Sequence, residues 1–239
     1  MKQRLDQALV ARGFVSSRSQ AESWIKLGKV FVHGKTASKS GLLVTPEALI
    51  ELKTTEQYVS RAGLKLASVA AAFKLDFKGA LVLDVGSSTG GFTDYALQHG
   101  AEKVIAVEAG TDQLHPSLHA HPRIELHERT DIRDMHELST TPDIVLIDVS
   151  FISLRDILPH VAKLSKKQTI IIPMVKPQFE ALHSKLTHKG VIKNDRLRRE
   201  ILKDFEMWVK QFFVILDKAD SAVAGSKGNV ERFYKLQKG

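Results

Sequence analysis

Leu81-Val-Leu-Asp-Val-Gly-Ser-Ser-Thr-Gly-Gly-Phe92 is the stretch that decides the fold. Its first half, with Ala80 before it, is a short apolar run rich in branched residues and too brief for a helix, which predicts a buried strand. Its second half is glycine and small hydroxyl residues, and Phe92, Tyr95, Ala96 and Leu97 follow at helical spacing. The unit is therefore strand, tight glycine-rich turn, helix. At such a turn the backbone approaches a ligand closely, and the new helix offers it unpaired N–H groups.

A dinucleotide fingerprint, G-x-G-x-x-G, needs glycine where Ser88 stands, because the chain passes nearest the pyrophosphate there. A P-loop is excluded as well, since no Gly-Lys-Ser/Thr follows. The turn then suits an adenosine-type ligand without a phosphate chain, of which S-adenosyl-L-methionine is the usual one. Its contacts are expected at Gly86, Ser87, Ser88, Gly90 and Gly91. A glycine-rich turn that binds nothing is the competing reading.

Working outward, the 239 residues suffice for one large domain or two unequal ones, and 43% hydrophobic composition places the chain among globular proteins. No apolar run reaches the roughly eighteen residues of a membrane span. The start, Met-Lys-Gln-Arg-Leu-Asp, lacks the apolar core of a signal peptide, so a cytoplasmic protein is expected. Cysteine is absent, which removes disulfides, thiolate metal sites and any cysteine nucleophile. A net charge of +8 favours a polyanionic partner. Much of the excess is N-terminal: Lys2, Arg4, Arg12, Arg18, Lys26, Lys29, Lys35 and Lys39 face only Asp6 and Glu22.

In that N-terminal part, Leu5, Ala8 and Leu9 keep a helical period that Gly13 ends. Ser17 with Gln20 resembles a capping box, and the helix it opens buries Ala21, Trp24 and Ile25 before Gly28 stops it. Val30–Val32, Leu42–Val44 and Leu49–Leu52 read as short strands. The order Arg-Leu-Asp, Ser-Arg-Ser-Gln-Ala, Ile-Lys-Leu-Gly-Lys-Val-Phe-Val-His-Gly resembles the S4 RNA-binding domain. That resemblance implies that Arg4, Arg12, Arg18, Lys26 and Lys29 meet RNA phosphates, contacts that position a protein without reading bases. A solvated basic face is the plainer alternative.

Polar, aperiodic Thr54-Thr-Glu-Gln57 marks a boundary, giving domains at 1–53 and 60–239 with a linker at 54–59. A helix is expected from Leu64 through Phe73, with Lys65 near its start, where the helix dipole disfavours a cation. Strands are then expected at Lys103–Glu108, Ile124–His127, Asp143–Asp148 and Thr169–Val175, with helices between them. A helix at Arg196–Lys210 precedes two strands, Phe212–Ala219 and Val230–Leu236, with Glu231 opening the second. The loop between them, Ser221–Asn229, is poor in apolar residues and is expected to be flexible and near the site. Alternating strands and helices give a mainly parallel sheet that binds its ligand at the strands' carboxyl ends. Those ends supply Gly86, Glu108, Asp131, Asp148 and Lys176. An acid closing the second strand is placed to accept from both ribose hydroxyls of a nucleoside.

The segments Ser60-Arg-Ala-Gly-Leu-Lys65, Asp84–Asp94, Arg129-Thr-Asp-Ile-Arg133, Asp148-Val-Ser-Phe-Ile-Ser-Leu154, Val175-Lys-Pro-Gln-Phe-Glu180 and Gly228-Asn-Val-Glu231 resemble the TlyA family over almost the whole chain. In that family an S4 domain precedes an FtsJ/RrmJ-like methyltransferase domain. The resemblance implies an α/β, class I (Rossmann-like) fold whose last strand is antiparallel. It also implies methyl transfer from S-adenosyl-L-methionine to ribose 2′-hydroxyls of ribosomal RNA, free or in subunits. The family's Lys-Asp-Lys-Glu set falls on Lys65, Asp148, Lys176 and Glu231. Two positions depart from the family pattern: Ala222, where proline is common, and Asp131, where asparagine is frequent; either residue at 131 can accept from the adenine amino group.

A ribose hydroxyl is a poor nucleophile until its proton is leaving, and lysine serves as a base only when nearby positive charge and burial weaken its hold on the proton. The expected roles are Lys176 as base or alkoxide stabiliser, Lys65 as the neighbouring cation, Asp148 orienting Lys176, and Glu231 holding Lys65 or the ribose. Carbon-5 pyrimidine methylation is excluded by the missing cysteine, and base-amine methylation by Asp148-Val-Ser-Phe151 in place of Asn/Asp-Pro-Pro-aromatic. His115, His119 and His121, interrupted by Pro116 and Pro122, read as a surface loop without a metal. A membrane-active haemolysin, a label relatives often carry, and an RNA-binding protein with an inactive methyltransferase domain are the rival functions.

Overall fold

Gly13 (φ 73°) and Gly28 (φ 68°) end the first two helices in the left-handed region where the sequence places its stops. The computed structural model describes every residue except 1, 16, 54–57, 182–189 and 226–227, and leaves out the side chain of residue 19. Of the linker expected at 54–59, residues 54–57 therefore lie outside the described residues.

The N-terminal unit runs β1 (Gln3–Arg4), α1 (Leu5–Ala11), α2 (Arg18–Lys26), β2 (Val30–Val32), β3 (Lys35–Thr36), β4 (Leu43–Val44) and β5 (Ile50–Leu52). Leu5, Ala8, Leu9, Ala21, Trp24 and Ile25 are buried between the two helices and the strands. Ser17 Oγ accepts the Gln20 N–H at 3.2 Å, so the expected cap forms. β4 falls within the strand expected at Leu42–Val44, while its two-residue partner β1 is too short to leave a periodic trace in the sequence.

The larger unit continues with α3 (Arg61–Ala70), β6 (Leu81–Val85), α4 (Gly91–Gln98), β7 (Lys103–Val107), α5 (Pro116–His119) and β8 (Ile124–His127). After a 3₁₀ turn at Ile132–Asp134 come β9 (Ile144–Ile147), α6 (Leu154–Lys163), β10 (Ile170–Val175), α7 (Pro177–Glu180), α8 (Asp195–Val209), β11 (Phe213–Asp220) and β12 (Arg232–Lys238). The sheet order is β11-β12-β10-β9-β6-β7-β8. From β8 to β10 every pairing is parallel, while β12 runs antiparallel to both β10 and β11. A mainly parallel sheet with an antiparallel last strand is the expected architecture.

Strand residues alternate between two cores. Val82, Ile144, Leu146 and Met174 pack with α3 and α4, together with the apolar residues of the N-terminal unit. Leu83, Val85, Val145, Ile147 and Val175 pack with α6 and α8. Helices on both faces explain why the central strands read as nearly unbroken apolar runs.

Most element boundaries differ from the sequence reading by one to three residues, and two of the differences bear on the site. Helix α3 starts at Arg61, three residues ahead of the expected Leu64. Its first turn contains Gly63, where a Cβ would lie 2.6 Å from Tyr58 Cβ and 3.0 Å from the Gly91 carbonyl oxygen. Close glycine contact between the starts of α3 and α4 is a tertiary feature, invisible to helical periodicity. Lys65 consequently sits in the second turn, where the dipole of the helix end has largely decayed. Glu231, likewise, immediately precedes β12 and does not form part of it.

Candidate active site

The glycine-rich turn leaves β6 through Gly86, at φ 79°. A Cβ there would stand 2.7 Å from the Asp148 carbonyl oxygen, so the turn closes only with glycine. Gly86 and Ser87 N–H groups both donate to the Val107 carbonyl, at 2.9 and 3.2 Å. Gly90 opens α4 at φ 86°, and a Cβ on it would strike Leu118 and Leu114. Ser88 takes φ 47°, uncommon for a residue with a side chain. Its N–H donates to Glu108 Oε2 at 2.9 Å, while Gly110 N–H donates to Oε1 at 2.7 Å.

Gly86, Ser88, Glu108, Asp131 and Asp148 line one cavity of about 590 Å³, within the range that takes a small-molecule ligand. Asp131 caps the 3₁₀ turn by accepting the Arg133 N–H at 2.9 Å, and it pairs with the Arg133 guanidinium at 2.6 Å. That hydrogen-bonded guanidinium holds the Asp131 carboxyl below the usual carboxylate range. Ser87 Oγ, on a residue 5% exposed, and Asp84 Oδ1 are buried polar atoms with no hydrogen-bond partner among the described residues. Orphaned polar atoms beside a glycine turn fit a ligand that carries its own donors and acceptors.

Asp84, next to last in β6, is 1% exposed, and Thr93 Oγ donates to its Oδ2 at 2.7 Å. Burial pushes its carboxyl up to about 7, helped by the charges of Asp148 and Glu108 against the Thr93 bond. A raised acid binds its proton more tightly in the folded than in the unfolded chain. Stability therefore falls as pH rises from 3.8 toward 7, and the loss is complete above that window. Asp84→Asn, which still accepts from Thr93, is expected to gain up to about 4 kcal/mol at about pH 8. Thermal unfolding of the two proteins at about pH 8 and about pH 4 checks this. Equal melting-temperature differences at both pH values would contradict it.

The charged candidates form two close pairs. Lys176 Nζ lies 2.6 Å from Asp148 Oδ1 and donates to Ser150 Oγ at 2.7 Å. Lys65 Nζ lies 2.7 Å from Glu231 Oε2, with side-chain exposures of only 11% and 4%. Sheet register makes them neighbours: Val175 stands opposite Arg232 across β10 and β12, so one step further sets Lys176 opposite Glu231. Asp148 follows Ile147, the β9 partner of Pro173, on the adjoining strand end. The loop carrying Glu231 is tied to α3: the Arg61 guanidinium donates to the Ala224 carbonyl at 2.6 Å, and Ala222 N–H to Ser68 Oγ at 3.3 Å. Proline at 222 has no N–H for that bond.

Phe151 was not singled out by the sequence reading. It lines the cavity at 87% exposure and φ 65°, with its ring 5.2 Å from that of Phe179. Lys176 Nζ in turn lies 6.0 Å from the Phe179 ring centre. The available signal was its place as the aromatic that closes Asp148-Val-Ser-Phe151, just past an acid-terminated strand.

The N-terminal cations divide. Arg4 and Arg18 both pair with the buried Asp6 at 2.9 Å, and the Arg4 hydrogen bond leads in holding that carboxyl low. Arg12 spends its guanidinium on the carbonyls of Ala48, Thr45 and Pro46, at 2.7, 3.1 and 2.8 Å. Lys26 and Lys29 stay exposed, and Lys26 edges a cavity of about 430 Å³ with Lys39 and Gly41. His115 caps the short α5, and His119 bonds the Leu114 carbonyl. Among the described residues no group of three or more His, Cys, Asp or Glu is placed to hold a metal ion.

Residues 58–238 match the FtsJ-like methyltransferase family, and residues 3–50 match the S4 domain. The 16S/23S rRNA (cytidine-2′-O)-methyltransferase TlyA of Mycobacterium tuberculosis H37Rv is 35% identical, over 98% of this chain and 89% of its own length. The chain belongs to the TlyA family of FtsJ-like methyltransferases. Another relative, from Brachyspira hyodysenteriae, bears the name Hemolysin A and is 34% identical over 95% of this chain and 97% of its own. A solved structure described as a hemolysin from Streptococcus thermophilus superimposes with a TM-score of 0.72 at 33% identity, covering 99% of this chain and 88% of that one. This TlyA-family chain is thus a methyltransferase by fold and by sequence. Among its described residues no helix is long and apolar enough to cross a membrane.

Proposed function

We propose that this methyltransferase moves a methyl group from S-adenosyl-L-methionine to a ribose 2′-hydroxyl of ribosomal RNA. The N-terminal unit would dock the RNA, with the chain divided at 54–59. The observation that carries this reading is the pair of lysine–carboxylate contacts, Lys176–Asp148 and Lys65–Glu231, on neighbouring strand ends beside the cavity.

Bound S-adenosyl-L-methionine supplies an electrophilic methyl on a sulfonium. Glu108, bridged between Ser88 and Gly110, is the acceptor for its ribose hydroxyls, and Asp131 is the acceptor for the adenine amino group. Gly86 meets the cavity with backbone alone, Gly90 and Gly91 let Leu114, Leu118, Ser60 and Ala62 pack against the start of α4 beside it, and Ser87 Oγ is a buried group in need of a partner. Lys176 takes up, or stabilises the loss of, the proton from the RNA 2′-hydroxyl. Asp148 fixes the Lys176 ammonium at 2.6 Å, and Lys65, held by Glu231, adds the second positive charge. Holding an oxygen nucleophile in line at about 3 Å removes much of the entropic barrier. In this reading the exposed Lys26 and Lys29 meet RNA phosphates directly, and Arg4 and Arg18 add charge while bound to Asp6. Arg12 contributes by shaping the turn at Thr45–Ala48. The protein acts in the cytoplasm, where ribosomes are.

Free ribosomal RNA, separate subunits and whole ribosomes, each incubated with the purified protein and methyl-tritiated donor, test this. Label is expected on ribose oxygens, as mapped by resistance of the adjoining phosphodiester to alkaline cleavage. Label on bases, or none on any of the three substrates, would overturn the proposal.

A further inference from the structure

Glu180 is 1% exposed at the end of α7, and the roles given above leave it unused. Burying a carboxylate is costly unless charge-assisted hydrogen bonds offset it. Here Ser153 Oγ donates to Oε2 at 2.6 Å and Leu154 N–H donates to Oε1 at 2.8 Å. Arg155 Nε stands 3.8 Å from Oε2, while the same guanidinium pairs with Asp204 at 2.7 Å.

All three of those residues open α6. That helix already has a cap of its own, because Ser153 Oγ accepts the Arg155 N–H at 3.1 Å, and its first turn carries Asp156. Capping alone therefore does not account for a second, fully buried carboxylate. What the contact does accomplish is to join two loops. One leaves β9 with Asp148, Ser150 and Phe151; the other leaves β10 with Lys176, Phe179 and Glu180. Lys176 joins them at the cavity, Glu180 joins them at the far end, and the Phe151–Phe179 ring contact lies between.

We infer that Glu180 is a positioning residue: by clasping α7 to the start of α6 it fixes the Lys176 ammonium against Asp148. The inference rests on the proposed methyl transfer. Glu180→Gln keeps the shape, and the Ser153 hydroxyl can turn to accept from the new amide. Glu180→Asp keeps the charge and shortens the reach by one methylene. Glu180→Ala removes the clasp but risks misfolding, so the Gln and Asp variants carry the test.

The expected pattern is kcat within about threefold of wild type for Glu180→Gln, and lower by about 30- to 100-fold for Glu180→Asp, the scale of an ångström-sized misplacement. Donor affinity and the KM for RNA stay within about twofold in both, because the clasp touches neither ligand. A second readout needs no turnover. Lys176 in the Asp variant becomes accessible to an amine-labelling reagent, followed by peptide mass spectrometry, at a rate well above that of wild type and Glu180→Gln. Wild-type kcat and unchanged Lys176 labelling in a folded Asp variant would refute the positioning role. So would equal losses in the Gln and Asp variants, since the reach that Glu180→Gln keeps and Glu180→Asp shortens would then make no difference. A wild-type protein that methylates no RNA sinks the functional proposal instead, and the labelling comparison still judges the clasp.

Discussion

Lys176→Met is expected to leave the fold and donor binding intact and to lower single-turnover methyl transfer by about 10³-fold, the middle of the range for removing a general base. That loss corresponds to about 4 kcal/mol of barrier. Methionine matches the length of the lysine stem and retains its packing, so the change isolates the ammonium. Asp148 is left without its 2.6 Å partner, but its side chain is 17% exposed and borders the cavity, where water can solvate it. The measurement is rapid-quench transfer at saturating donor, beside a binding isotherm for the unreactive demethylated product. A rate within about threefold of wild type would remove Lys176 from the chemistry and pass the proton to another group.

Lys65→Met is expected to act on stability as well as on rate. Its partner Glu231 is 3% exposed, and a carboxylate left alone at that depth costs about 3–5 kcal/mol. For a chain of this size the melting temperature then falls by roughly 10 °C. The double variant Lys65→Met/Glu231→Gln, which has no stranded charge, should recover most of that stability and none of the transfer rate. This split distinguishes a catalytic cation from a structural ion pair, because a purely structural pair would restore activity along with stability. Calorimetry and the same quench assay on the three variants decide it. A single Lys65→Met variant as stable as wild type would mean that Glu231 finds another donor.

Local chemistry made much of this protein legible in the sequence. Leu81–Val85 needs only four branched or apolar residues around Asp84 to become a strand, and Gly86 and Gly90 need only the absence of a Cβ to make the turn. Gly13, Gly28 and Ser17 set helix ends through backbone conformation and capping, which act within four residues. Glu108, Asp148 and Lys176 could be named because a parallel sheet gathers the residues that follow its strands, whatever lies between them.

The family resemblance names the partners Lys176–Asp148 and Lys65–Glu231, and tertiary structure sets the contacts between them. Lys65 meets Glu231 because β12 runs antiparallel beside β10 and α3 packs over that edge, and a register shift of one residue would undo it. The early start of α3 depends on two glycines from different elements touching, and the clasp of Glu180 on Ser153 joins residues that sequence periodicity treats as unrelated. Arg12 reads as a free cation until its guanidinium is found on three carbonyls of a distant turn. Propensity, capping and turn chemistry are short-ranged, so the chain announces its elements and their order. Ion pairs and buried hydrogen bonds depend on side-chain positions good to about an ångström, and only the packed sheet and helices set those.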